Sequence, residues 1–247
     1  MIRADTMRVT TPIGILTALF FAAPVEAAEE EKHPVYVGAE VCASCHHGKE
    51  MGHQHSLWLL SKHAGAYAIL SRPEAKTIAE LSGITQPPQE ATMCLGCHAT
   101  GAHAEDWEKD PTFHTEDGVQ CEKCHGPGSE YSVDSRTMRD REAAMAAGLV
   151  MPTERACLGC HQPKGSHVAV HHMSQMDMEK AAETIAHPTP KPAMPGEPPL
   201  LPEAGETGPK YTGVMACAEC HDKAKTGDQF SKWRLSLHAR AYACLLY

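Results

Sequence analysis

One pentapeptide, Cys-x-x-Cys-His, occurs five times in this chain and constrains its fold more than any other feature. Ten of the eleven cysteines lie in these copies, so almost none remains for disulfides. The copies are Cys42–His46, Cys94–His98, Cys121–His125, Cys157–His161 and Cys217–His221. In such a motif the two thiols can add to the vinyl groups of a haem, and the histidine that follows can bind its iron. The sequence therefore predicts five covalently attached haems c.

Each motif predicts two attachment cysteines and one proximal iron ligand. The predicted attachment residues are Cys42, Cys45, Cys94, Cys97, Cys121, Cys124, Cys157, Cys160, Cys217 and Cys220. The predicted proximal ligands are His46, His98, His125, His161 and His221. Zinc ribbons also use Cys-x-x-Cys pairs, as four thiolates around one ion, but they do not require a histidine after every pair. A thioredoxin-like redox motif would be single and set in a βαβ pattern, which this chain lacks. Structural zinc therefore stays as the alternative.

The composition fits a fold built around a large cofactor. Aromatic residues make up only 5% of the chain, which contains 19 Gly and 18 Pro, so side chains alone would bury a limited core. Haems would supply large apolar plates around which short helices and loops can pack. The predicted fold is mainly α, with low regular secondary structure: a multihaem cytochrome c with a haem-packed core. Apolar spacing predicts helices over 56–70 and 137–149, among others.

The N-terminus has the features of a secretory signal peptide over residues 1–27. Arg3 and Arg8 precede an apolar stretch, and Val25-Glu26-Ala27 resembles a cleavage site. An uncleaved anchor is the alternative, but the apolar stretch is short for a bilayer. Export agrees with the motifs, because haem c is attached outside the cytoplasm in bacteria. We expect a periplasmic or extracellular protein with no transmembrane segment after cleavage.

The formal net charge is −9, which disfavours a nucleic-acid partner. Redox partner proteins with a basic docking face would be attracted to such a surface. The same charge is equally consistent with solubility alone. The oligomeric state is not predicted by the sequence.

The C-terminal residues repeat the first motif and its surroundings. Residues 211–245 match 36–70 at a constant offset of 175, and about half of the aligned positions are identical. We interpret 211–247 as the start of a second haem module, separated from the first by a Pro-rich linker at 188–210. The second module could be truncated, or its His238 could reach back to an earlier haem or serve a neighbouring subunit. The odd cysteine, Cys244, is predicted to make an apolar contact rather than to act as a reactive thiol.

Five irons each accept a second axial ligand, so histidines outside the motifs are candidates. His63 lies in the predicted helix 56–70, and His238 is its counterpart in the second copy. Both are predicted iron ligands. Trp58, in the same helix, is expected to pack on a haem face.

Residues 36–187 resemble the cytochrome c-554 family of multihaem cytochromes. The shared strings are Cys42–His46 followed by Trp58 and Ser61-Lys-His63-Ala64, Cys94–Gly101, Gly118–Gly128, and Cys157–His161 with a late His187. The resemblance implies a mainly α-helical, four-haem domain over 28–187 that carries electrons. It also implies that His63 is the distal ligand of the haem on His125 and His187 that of the haem on His161. The haem on His98 corresponds to one that can be five-coordinate in the family.

One departure from the family leaves the haem on His46 without an obvious distal ligand. Family members offer a histidine shortly after the Gly-Pro-Gly turn, whereas residues 131–148 contain none. The candidates are Met138, His33, His55, His103 and His114; otherwise this iron is open. A methionine in place of a histidine would raise the reduction potential.

The leading hypothesis is an electron carrier, because bis-histidine ligation leaves no site for a substrate and closely packed haems exchange electrons. An open iron at His46 or His98 would instead permit a redox enzyme acting on a small nitrogen or sulfur species. The orphan His238 would permit a subunit of a haem filament or of a membrane-associated electron-transfer complex. The distal ligands of the haems on His46, His98 and His221 are not predicted.

Overall fold

Short helices joined by turns make up most of the structure, a computed structural model that describes residues 33–48, 51–172, 175–187 and 213–244. Within these ranges, Tyr36 and Lys109 form an isolated parallel bridge, and no described helix is both long and apolar enough to cross a membrane. The predicted mainly α fold is confirmed. The predicted signal peptide (1–27) and linker (188–210) lie outside the described residues. The helices are α1 (Ala39–His46), α2 (Gln54–Leu60), α3 (Pro73–Leu81), α4 (Thr92–His98), α5 (Cys121–His125), α6 (Ser135–Arg139), α7 (Arg141–Ala146), α8 (Glu154–Leu158), α9 (Gly165–His171), α10 (Met178–Ile185), α11 (Val214–His221), α12 (Gln229–Arg234) and α13 (Ala241–Cys244).

The helix predicted over 56–70 is interrupted in the structure. The helix α2 ends at Leu60, because Ser61 adopts an extended backbone with φ −74° and ψ 162°. A turn follows, and then a 3-10 helix over Ala68–Ser71. The carbonyl of His63 accepts a hydrogen bond from the Val119 amide at 3.0 Å. This tertiary contact places His63 in a turn rather than on a helix.

The chain approaches His63 closely at a glycine. Gly118 has φ +74°, and a Cβ atom there would lie 2.8 Å from the His63 carbonyl oxygen. Both the left-handed backbone and the close approach therefore require glycine at this position.

The helix predicted over 137–149 is also divided, into α6 and α7. Asp140 lies between them with an extended backbone. Its carboxylate accepts hydrogen bonds from the amides of Glu142 and Ala143 at 2.9 and 3.2 Å. Asp140 therefore caps the N-terminus of α7. A second helix begins at this point, where the apolar spacing predicted one continuous helix.

A buried carboxylate joins the N-terminal segment to the third motif. Glu122, between the two cysteines of that motif, is 2% exposed. It accepts hydrogen bonds from the amides of Val37 and Gly38, both at 2.8 Å, and from that of Gly128 at 2.7 Å. Burial raises the pKa of Glu122, and the three hydrogen bonds oppose this shift. The adjacent Gln120, equally buried, accepts from the Ala39 amide at 2.8 Å.

The C-terminal copy packs against the first copy within one compact unit that starts at His33. Helix α12 contacts the 3-10 helix Ala68–Ser71, and α13 contacts α2. Because α12 is the counterpart of α2, and α13 overlaps the counterpart of Ala68–Ser71, the two copies contact each other through equivalent segments.

A buried ion pair fixes the C-terminal copy against the rest of the compact unit. The Arg234 guanidinium lies 2.9 Å from the Asp117 carboxylate, and the two side chains are 8% and 3% exposed. Arg234 also donates to the Ala64 carbonyl at 3.3 Å. Nearby, the Gln89 amide donates to the Ser231 hydroxyl at 3.1 Å. Burial raises the pKa of Asp117 to about 6, although Arg234 opposes the shift.

Cys244, the odd cysteine, was predicted to make an apolar contact on its helix. It is exposed at the end of α13. Its counterpart Ile69 is itself 37% exposed, so this position lies at the surface in both copies.

Candidate haem sites

Four of the five motifs line one connected cavity in the described part of the chain. Its volume is about 2060 Å³, roughly twice the upper end of the approximate range of ~300–1,000 Å³ for small-molecule pockets. Apolar side chains, among them Leu57, Trp58 and Ile78, form part of the wall. Such a cavity fits several large apolar groups better than one small ligand. The motif residues on the wall are Cys42, Cys45, His46, Cys94, Cys97, His98, Cys121, Cys124, His125, Cys157, Cys160 and His161.

Helix geometry explains why four of the motifs present their reactive side chains together, whereas in the Cys157–His161 motif α8 ends at Leu158 and a turn follows. Cys42, Cys45 and His46 all lie in α1, and side chains three and four positions apart share one face of a helix. A zinc ribbon would instead bring four thiolates to one point. In the described ranges, no group of three or more histidine, cysteine or acidic side chains could hold a bare metal ion. The arrangement therefore fits haem attachment better than structural zinc.

Two proximal histidines are oriented by backbone carbonyls. His98 Nδ1 donates to the Ala66 carbonyl and His125 Nδ1 to the Val150 carbonyl, each at 2.9 Å. Because a carbonyl oxygen only accepts, Nδ1 carries the proton and Nε2 keeps its lone pair for a metal. These partners are backbone atoms distant in sequence, so no residue pattern indicated them.

The first and last motifs use a glutamine side chain for the same purpose. His46 Nδ1 is hydrogen-bonded to Gln54 Oε1, and His221 Nδ1 to Gln229 Oε1, both at 2.5 Å. Neither glutamine was predicted from the sequence. They occupy equivalent positions in the repeat. The conserved spacing of eight positions from each motif histidine to its glutamine could have indicated the shared role.

Three of the four proximal histidines in the cavity face a second imidazole. A metal–nitrogen bond is about 2.0 Å, and a ring nitrogen lies about 1.1 Å from its ring centroid, so two imidazoles that share one metal have centroids about 6 Å apart. All three observed separations fit this geometry. The centroids are 5.8 Å apart for His63 and His161, 6.1 Å for His187 and His125, and 6.3 Å for His167 and His98.

The partners of His63 and His187 differ from those that the resemblance implied. His63 faces His161 rather than His125, and His187 faces His125 rather than His161. Which imidazoles meet depends on how distant segments cross in space, which the order of the motifs does not determine. Burial lowers the pKa of His63, and this favours the neutral imidazole that binds metals.

Among the described residues, no ring pair joins His46 to a second imidazole. Burial lowers the pKa of His187, and His125 and His46 lower it further, so His187 lies near both motif histidines. Two of the candidate distal ligands of the haem on His46, His55 and Met138, line the same cavity. The other candidates are not among the residues that line this cavity: His33, His103 and His114. His33 instead packs against the Trp107 ring, with a centroid separation of 5.7 Å.

The fifth motif lies apart from the cavity wall. Cys217 and Cys220 in α11 are exposed. His238 is exposed at the start of a 3-10 helix over His238–Arg240, and it faces neither His221 nor another proximal histidine in the described ranges. Trp58 lines the cavity, as expected for a residue beside a haem, and its Nε1 donates to the Val119 carbonyl at 2.7 Å.

Comparisons with known proteins agree with the motifs and the fold. The family model described as cytochrome c554 and c-prime matches residues 41–126. A relative from Nitrosomonas europaea (strain ATCC 19718) named cytochrome c-554 is 26% identical over 173 residues, which covers 63% of this chain and 69% of the relative. No solved structure matches the chain. Over these ranges the chain is therefore similar to cytochrome c-554 and to the family model of that name, in agreement with its motifs and its mainly α fold.

Proposed function

We propose that this c-type electron-transfer protein carries electrons between redox partners through closely packed haems c, four of them in the shared cavity and a fifth at the last motif. The observation that supports this most strongly is the shared cavity, in which three proximal histidines each face a second imidazole at about 6 Å. A bound haem c would supply reversible one-electron chemistry at its iron. The cysteines and proximal histidines of the five motifs, together with His63, His187 and His238, are the proposed attachment and iron-binding residues.

The protein's own groups hold these sites close together. The Cys42 and Cys121 thiols lie within hydrogen-bonding reach, which raises the pKa of Cys42 before attachment. Cys97 and Cys160 are similarly close. Attachment residues of the first and third motifs, and of the second and fourth, are therefore neighbours. Such proximity supports electron exchange between sites rather than independent cofactors.

The domain organisation and location follow from the sequence. We interpret residues 1–27 as the signal peptide, 28–187 as the four-haem domain, 188–210 as the linker and 211–247 as the start of a second module. The protein would work in the periplasm or outside the cell. Its net charge of −9 favours redox partners with a basic docking face, whose association should weaken as salt rises.

Counting haems tests this proposal. The full chain, expressed with the haem c maturation machinery, should gain the mass of five haems. Replacing both cysteines of any one motif with serine should remove the mass of one haem. Spectroelectrochemical titration should then resolve several overlapping one-electron steps, mostly at low potential. A purified chain without covalent haem would overturn the proposal.

A second candidate function is supported by His46, which no ring pair joins to a second imidazole in the described residues. An open iron there would permit reduction or oxidation of a small nitrogen or sulfur species. Nitrite, hydroxylamine or nitric oxide should then shift a high-spin signal. Spectra that are low-spin throughout and unchanged by these ligands would exclude this candidate.

A third candidate is supported by the exposed His238. An exposed imidazole could bind a haem of a neighbouring subunit in a filament or a membrane-associated complex. Sedimentation of the haem-loaded protein over a range of concentrations tests it. Association that His238→Ala abolishes would support this candidate, and a monomer at high concentration would exclude it.

A further inference from the structure

We propose that His167 is the distal iron ligand of the haem attached at Cys94 and Cys97, opposite His98, so that this haem is six-coordinate. No motif or resemblance indicated His167 as a ligand. The resemblance implied that the haem on His98 can be five-coordinate. The inference rests on the proposed covalent haem at this motif.

The first observation is the geometry of the His98 and His167 rings. Their centroids are 6.3 Å apart, and their planes are inclined by only 25°. Offset stacking of two rings can reach this separation, so distance alone does not distinguish stacking from ligation. The separation nevertheless matches the other two cavity pairs, at 5.8 and 6.1 Å. Each pair joins one motif histidine to one histidine outside the motifs.

The second step is the orientation of the nitrogens. His98 Nδ1 donates to the Ala66 carbonyl at 2.9 Å, which leaves Nε2 for iron. On the other side, the His167 Nδ1 lies 3.5 Å from the Ser166 hydroxyl. The His98 ring is therefore oriented as histidine ligands of metals commonly are. The Ser166 hydroxyl can either donate or accept, so this contact positions the His167 ring without fixing its proton.

The third step is that both histidines are held by one structural frame. Helix α9, which carries His167, packs against α3. The Ser82 hydroxyl, just after α3, donates to the Ser166 hydroxyl at 2.9 Å. The 3-10 helix that precedes α3 also packs against it, and it follows closely after Ala66, the anchor of His98. The two imidazoles are thus positioned from the same short stretch of chain, 66–82.

His171 provides a matched control. It lies one helical turn after His167 on α9 and also lines the cavity. In the described residues, however, its ring faces no motif histidine. It is exposed, whereas His167 is half-buried. The structure therefore assigns the ligand to one of two neighbouring histidines on the same helix.

This assignment determines whether the iron on His98 has a free coordination position. If His167 binds this iron, no coordination position stays free at His98 for a small substrate. Of the two irons for which an enzymatic role is considered, only the one on His46 would then remain a candidate for an open iron. The inference therefore disfavours the haem on the second motif as the site of such a reaction.

Counting high-spin irons tests the inference. We would compare His171→Ala with the double variant His167→Ala/His171→Ala, in the full haem-loaded chain, by electron paramagnetic resonance and magnetic circular dichroism. The double variant prevents His171 from replacing His167. It should contain one more high-spin ferric iron per chain than His171→Ala, and added imidazole should return that iron to low spin. His167→Met should stay low-spin, with one potential raised.

The outcomes separate this inference from the proposed function. Equal high-spin counts in the two alanine variants, with the full haem mass present, would overturn the ligand assignment and leave the electron-transfer proposal intact. A wild-type mass that lacks the haem at Cys94 and Cys97 would overturn both. If the double variant does not incorporate its haems, the His167→Met variant tests the ligand assignment instead. Reduction potentials that are all unchanged in His167→Met would overturn the assignment.

Discussion

Replacing Arg234 with leucine, the residue at the equivalent position 59, removes the cation from a buried ion pair. Asp117 is left 3% exposed with no guanidinium at 2.9 Å. Burial already raises its pKa from 3.8 to about 6, a shift that corresponds to about 3 kcal/mol at neutral pH. Breaking a buried pair by removing one partner costs about 3–5 kcal/mol. We therefore expect Arg234→Leu to lower the free energy of undocking of the C-terminal copy by about 3 kcal/mol at pH 8.

The sign of the pH dependence follows from the raised pKa. Below about pH 4 the Asp117 carboxyl is protonated in both the docked and the undocked states, since its ordinary value is 3.8. Between that pH and about 6 the exposed carboxyl ionises first, so stability falls as pH rises. Without Arg234 the docked pKa rises further, and stability continues to fall above pH 6, by about 1.4 kcal/mol per pH unit. The cost of Arg234→Leu should therefore be larger at pH 8 than at pH 5.

Native-state hydrogen exchange of α12 and α13 in the haem-loaded protein measures this cost at both pH values. Lys232→Leu is the control, because it removes one exposed positive charge from the same helix. Adding Asp117→Asn to Arg234→Leu should recover part of the loss and abolish the pH dependence. An Arg234→Leu cost that is equal at the two pH values, or no larger than that of Lys232→Leu, would refute the reasoning.

Three further substitutions test the fold and the first haem site. Gly118→Ala should cost more stability than Gly83→Ala, because both have positive φ but only the former would bring a Cβ within 2.8 Å of the His63 carbonyl; equal shifts in the urea midpoint would contradict this. Glu122→Gln should lower the urea midpoint, since an amide N–H would face a backbone amide in a buried site, at a cost of about 1–3 kcal/mol; an unchanged midpoint would argue against the three hydrogen bonds. Gln54→Leu should raise the potential of the haem on the first motif, because loss of the bond to Nδ1 makes the imidazole a weaker donor. Spectroelectrochemistry should detect this rise, and a lowered or constant potential would count against it.

The attachment chemistry could be predicted because it is local. Two thiols and an imidazole at spacings of three and four positions are fixed by the motif itself, wherever the chain goes. The repeat could also be recognised from the sequence, because identical residues at a constant offset are visible without a structure. Even so, a residue that the repeat shares, Gln54, was not recognised as a partner of His46. Its role depends on a contact between side chains eight positions apart.

The pairing of imidazoles could not be predicted in this way. His63 meets His161 across nearly a hundred residues, and the contact depends on how the turn after α2 packs. That turn is set by the bond from the Val119 amide to the His63 carbonyl, whereas apolar spacing alone predicted a continuous helix. His167 was missed for the same reason. His171 and His172 follow it closely in the sequence, and only the packing of α9 distinguished it from these neighbours.

The role of Glu122 could not be predicted from the sequence either. Its position between two attachment cysteines suggested nothing beyond a spacer residue. In the structure its carboxylate accepts three backbone amides, which fixes the N-terminal segment against the third motif. A sequence pattern does not register hydrogen bonds to backbone atoms, because every residue carries those atoms.

The reciprocal contact between the two copies has a consequence for how such a duplication stays ordered. In a symmetric pair of identical modules every contact would occur twice, and the two partners could be interchanged without cost. Here Arg234 of the second copy pairs with Asp117, a residue outside both copies, and the equivalent position 59 of the first copy holds leucine. The arginine therefore distinguishes the second copy from the first, and its charge ties that copy to a carboxylate that is not part of the repeat.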